Sequence, residues 1–69
     1  LLEKITLNVK GMSCGHCVNS IERSVGELQG IKSVKVHLEA GIVDVEFNPS
    51  EVSLSEIKET IDDQGYEVE

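Results

Sequence analysis

ITLNVKGMSCGHCVNSIERSVGEL, residues 5–28, changes its hydrophobic period partway along. Ile5, Leu7 and Val9 alternate with Thr6, Asn8 and Lys10, which predicts a half-buried strand. Gly11 through Gly15 interrupt the alternation as a loop. Val18, Ile21, Val25 and Leu28 then recur at spacings of three and four, giving one apolar stripe on a helix from about His16 to Leu28. Gly30 stands just past that end, where a left-handed cap residue is expected.

The residues that follow supply the rest of the fold. Val34, Val36 and Leu38 alternate with Lys35 and His37 in a second strand, and Glu39-Ala40-Gly41 makes a short turn. Val43, Val45 and Phe47 form a third strand that Asn48-Pro49-Ser50 ends. Ser53 and Glu56 have capping-box spacing, with Val52 and Ile57 placed as the accompanying hydrophobic staple. A second helix follows with Leu54, Ile57 and Ile61 on its buried side. Gly65 fits its end, and Tyr66 and Val68 leave a short last strand. The order β-α-β-β-α-β predicts an α+β chain with the ferredoxin-like split βαβ motif. Two striped helices cover one face of a four-stranded antiparallel sheet, an open-faced sandwich. Residues 1–69 are expected to form a single domain, near the lower size limit for folding without help. With Phe47 and Tyr66 as the only aromatics, the core must rest on Ile, Leu and Val.

Charge narrows the function. The net charge is −7. Residues 39–69 carry Lys58 alone against ten carboxylates, whereas residues 1–38 carry five cations against three. Nucleic acid is excluded as a partner, because phosphate binding needs a basic surface. A protein with a complementary basic patch fits better, beside the plainer reading of a solvated acidic face. No stretch approaches the roughly 20 apolar residues that span a bilayer, and no basic-then-apolar leader is visible. Two accessible thiols with no further cysteine suit a reducing compartment, so a cytoplasmic location is expected.

The chemistry lies in Cys14-Gly15-His16-Cys17. A disulfide across so small a loop would remove little chain entropy and is a poor staple. Cys17 falls in the first helical turn, where unpaired N–H groups and the positive end of the helix dipole favour thiolate, the metal-binding form. Two intervening residues let both sulfurs converge, and Gly15 lets the backbone pass closely. Structural Zn(II) wants four ligands, and no second cysteine pair is present. Mg(II) and Ca(II) want oxygens. Cu(I) is soft and takes thiolates at low coordination; two sulfurs near the surface also leave room for a third from another protein. Hg(II) would take the same two sulfurs.

Gly11-Met12-Ser13-Cys14-Gly15-His16-Cys17 resembles the GMxCxxC signature of heavy-metal-associated domains, and the order of elements agrees along the whole chain. Within that family the chain is most similar to small bacterial copper chaperones of the CopZ type, through His16 between the cysteines and Gly65-Tyr66 after the second helix. The resemblance implies a non-enzymatic cytosolic carrier that binds Cu(I) through Cys14 and Cys17. It implies transfer by ligand exchange to the metal-binding domain of a copper-transporting P-type ATPase, with a copper-responsive regulator as a second candidate partner. It further implies that Met12 packs beneath the loop and that Tyr66 shields the ion. The same module occurs at the amino terminus of such ATPases, which is the principal alternative; a zinc or mercury carrier is a further one. The expected state is a monomer without metal, and exposed thiolates leave a copper-bridged dimer open.

Other residues have competing readings. His16 can coordinate, tune the thiolates when protonated, or face solvent. Its side chain should point about 100° away from that of Cys17 around the helix. Met12 is a third-ligand candidate, against core filling. His37 should face outward with no role. Lys10 either adds positive potential at the loop or is merely solvated. Cys-Gly-His-Cys also suggests a thiol–disulfide oxidoreductase. Against that stand the absence of Trp, a chain shorter than the roughly 100 residues of a thioredoxin-like domain, and Pro49 lying after a strand rather than before one.

Overall fold

The computed structural model describes residues 1–12 and 15–69. Its elements run β1 (Glu3–Lys10), α1 (Gly15–Gly26), β2 (Ile31–His37), β3 (Ile42–Phe47), α2 (Leu54–Asp63) and β4 (Glu67–Val68). The strands form one antiparallel sheet in the order β2-β3-β1-β4. The β-α-β-β-α-β expectation is met, and the ferredoxin-like arrangement with it.

Period-two patterning explains which face of the sheet is buried. Leu7 and Val9 of β1, Val36 of β2, and Val43, Val45 and Phe47 of β3 point into the core. Ile21 and Val25 from α1 and Ile57 and Ile61 from α2 meet them there, each fully buried. Leu28, Ile31, Val34 and Val68 pack around that cluster. The opposite face carries the polar partners of the alternation. Thr6 Oγ1 donates to Asp44 Oδ1 at 2.6 Å, and His37 Nε2 donates to Asp44 Oδ2 at 2.9 Å.

α2 begins as its sequence predicts. Glu56 N–H donates to Ser53 Oγ at 3.1 Å, and Ser53 N–H donates to Glu56 Oε1 at 3.4 Å, closing the capping box. Val52 and Ile57 both lie in the core cluster, as a staple requires. At the other end Gly65 N–H donates to Asp62 O at 2.9 Å.

Three expectations are corrected. α1 ends at Gly26 rather than Leu28, because the Leu28 N–H turns back to Val25 O, three residues away, and tightens the chain out of the helix. Leu28 still packs on the core. β2 starts earlier than Val34, at Ile31, with a register irregularity between Ile31 and Ser33, and Leu38 belongs to the following turn. Leu54 is 38% exposed, since Val52 just ahead of the helix already fills the space beneath its first turn. His37 lies on the outward face as expected, half-buried and hydrogen-bonded to Asp44.

Gly30 is left-handed as expected, at φ 89°, but it turns the chain into β2 instead of capping α1 directly. A Cβ there would lie 2.7 Å from Glu51 Cβ and 3.3 Å from Val52 Cγ1, so both conformation and space demand glycine.

Candidate metal centre

β1 ends at Lys10, and α1 begins at Gly15. Gly11 leaves the strand at φ 97°, in the left-handed region that glycine enters without strain. A Cβ at Gly11 would lie 3.7 Å from Tyr66 Cδ1, so the Tyr66 ring covers the first residue of the loop. Antiparallel pairing of Val9 with Val68 and Lys10 with Glu67 carries Tyr66 to that place. Met12, the next residue, is half-buried and packs against the core cluster. Gly11, Met12 and Tyr66 are thus assembled at one end of the sheet.

Cys14 and Ser13 lie outside the described residues, so the expected ligand role of Cys14 falls outside them as well. Cys17 is the third residue of α1 and is only 5% exposed. This corrects the expectation of two accessible thiols. Position 17 precedes Ile21 by one turn, on the same face, so the stripe that buries Ile21 buries Cys17 at its end. The positive end of the helix dipole still favours a thiolate there.

His16 is exposed at the helix start, consistent with its rotation away from Cys17. Among the described residues a Cβ at Gly15 would meet nothing within 4 Å, so the close backbone passage expected at Gly15 is not found. Lys10 does not face the loop as a bare cation. Its Nζ lies 2.8 Å from Glu69 Oε2, and hydrogen bonding to Glu69, then the charges of Glu69 and Glu67, hold its ammonium above the usual lysine range. Among the described residues no group of three or more His, Cys, Asp and Glu is placed to hold a metal. No helix among them is long and apolar enough to cross a membrane. The sequence placed Gly11 at the start of the loop and of the motif but did not show its left-handed backbone; its place directly after an alternating strand was the available signal.

Residues 6–67 match the heavy-metal-associated domain. The chain belongs to that family. This heavy-metal-associated domain is 55% identical to the copper chaperone CopZ of Bacillus subtilis over 67 residues, 97% of each chain. Among solved structures it resembles a putative copper-ion-binding protein from Bacillus anthracis, with a TM-score of 0.97, 54% identity, and coverage of 100% of this chain and 97% of the other. It also resembles the Cu(I)-loaded N-terminal domain of a potential copper-translocating P-type ATPase from Bacillus subtilis. There the TM-score is 0.95 and the identity 35%, covering 100% of this chain and 86% of that one.

Proposed function

We propose that residues 1–69 form a single cytosolic copper-chaperone domain that carries Cu(I) between Cys14 and Cys17. Cu(I) is the cargo, and the chain acts as a carrier rather than a catalyst. The observation that carries this reading is the near-full-length likeness to a copper chaperone, joined to a CxxC pair that ends in the first turn of a helix. Soft thiolates at low coordination suit Cu(I) and disfavour a four-ligand Zn(II) site.

Transfer follows from that ligand set. A thiolate on the partner attacks the bound Cu(I), giving a three-coordinate bridge. One sulfur of this chain then leaves and takes up a proton, and a second exchange completes delivery. No electron moves, and copper is never released to water. The partner is the metal-binding domain of a copper-transporting P-type ATPase; likeness to such a domain supports it, because matched folds present matched loops. A copper-responsive regulator is a second candidate. Met12 supports the loop from the core, Tyr66 closes over its base at Gly11, and His16 is exposed at the start of α1.

The test is anaerobic titration with Cu(I) and Zn(II) against a competing chelator. Cu(I) is expected to be retained in preference to Zn(II), and the double substitution Cys14→Ser with Cys17→Ser to abolish retention. Preference for Zn(II), or undiminished Cu(I) binding by the double variant, overturns the proposal. A second reading, an ATPase N-terminal domain, draws on the 35% identity to one. Continuation of the native reading frame into membrane helices would select it.

A further inference from the structure

The sheet order leaves β2 and β4 as its outer strands. β4 is two residues long and presents almost no edge. β2 is seven residues long and carries Ile31, Val34 and Val36. An outer strand of that kind displays main-chain N–H and C=O groups on which another strand can pair. Those groups point alternately toward the neighbouring strand and away from it, so Val34 and Val36 share the outward side. The Val36 N–H donates to Glu22 Oε2 at 3.2 Å, a carboxylate delivered from α1. Glu22 is half-buried in reaching it, while its neighbour Arg23 is exposed.

We propose that Glu22 guards the β2 edge: by occupying the Val36 N–H it blocks antiparallel pairing of β2 with β2 of a second copy of this chain. The second copy is the natural occupant. Self-pairing needs only main-chain groups, and both edges would present the same Val34 and Val36. In the register centred on Val36, this residue faces its own equivalent and Lys35 faces the equivalent of His37. Every bond at the centre of that ladder requires the Val36 N–H. The guard acts twice, since two Glu22 carboxylates would also converge near the symmetry axis and repel. Lys35, which is exposed, discourages the alternative register centred on itself, in which it opposes its own equivalent.

The test uses the reduced chain with a copper chelator present, so that no metal bridges two copies. Alanine is the best helix former, so Glu22→Ala leaves α1 intact. Sedimentation velocity from micromolar to millimolar protein should show a monomer for the unmodified chain and a monomer–dimer equilibrium for Glu22→Ala. Val36 amide exchange in Glu22→Ala should be fast when dilute and slow by about tenfold or more as dimer forms. Glu22→Gln keeps an acceptor on the Val36 N–H and should remain monomeric. A Glu22→Ala chain that stays monomeric at millimolar concentration with concentration-independent Val36 exchange overturns the proposal. So does Glu22→Gln dimerising as readily as Glu22→Ala.

Discussion

At the scale of single residues, conformation and space decide where substitution is tolerated. Gly30→Ala places a methyl group 2.7 Å from Glu51 Cβ on a backbone that L-residues avoid. The strained backbone alone costs about 1–3 kcal/mol, and the chain must also shift around the added carbon. Urea unfolding should show a clear loss of stability. Gly26→Ala is the control, because a Cβ there meets nothing within 4 Å, and it should be neutral or stabilise by up to about 1 kcal/mol. Asp44 gives the residue-scale pH prediction. The Thr6 hydroxyl, then His37, hold its carboxyl below the usual range. A depressed folded-state value contributes stability that is present above the unfolded-state value and is lost as pH falls through the folded one. The loss should therefore develop below about pH 4. Thr6→Val should move the Asp44 titration upward, as followed by NMR of its carboxyl carbon.

At the scale of elements, the two helices start differently. α2 is closed by Ser53 and Glu56, each satisfying the other's main-chain N–H. Ser53→Ala should cost about 1 kcal/mol of unfolding free energy, whereas Ser55→Ala, outside the box, should cost little. α1 has no acidic residue in its first turn. Cys17 lies in that first turn, where the positive end of the helix dipole favours a thiolate. For His16 the expected outcome of a tuning role is a raised Cys17 thiol pKa in His16→Ala, read by the pH dependence of thiol alkylation; an unchanged value removes that role.

At the scale of the whole molecule, a 69-residue chain has little stability to lose. Typical values of about 0.05–0.15 kcal/mol per residue amount to roughly 3–10 kcal/mol. Ile21, Ile57 and Ile61 are fully buried where both helices meet the sheet. Ile21→Ala should cost about 2–5 kcal/mol, enough to unfold much of the population, as circular dichroism would report. Charge acts at the same scale. Ten carboxylates against Lys58 in residues 39–69 repel one another, so added salt should raise the thermal midpoint by screening them.

The sequence by itself determined the element order and the position of the CxxC pair. Both are local properties: period-two and helical spacings, a capping box at Ser53 and Glu56, and a seven-residue motif. It also sufficed to choose soft-metal chemistry, which depends on ligand type more than on distance. Boundaries were less legible, as at Leu28, because a residue can keep its core contact after its N–H has left the helical ladder. What only the tertiary structure decided depends on neighbours distant in the chain. Leu54 emerges because Val52 fills its space. His37 gains Asp44 across a strand pair. Tyr66 comes over Gly11 because β4 pairs with β1, and Glu22 reaches Val36 because α1 packs beside an outer strand. Each is fixed by through-space packing and by which main-chain groups the sheet leaves unpaired, and neither is written in local spacing.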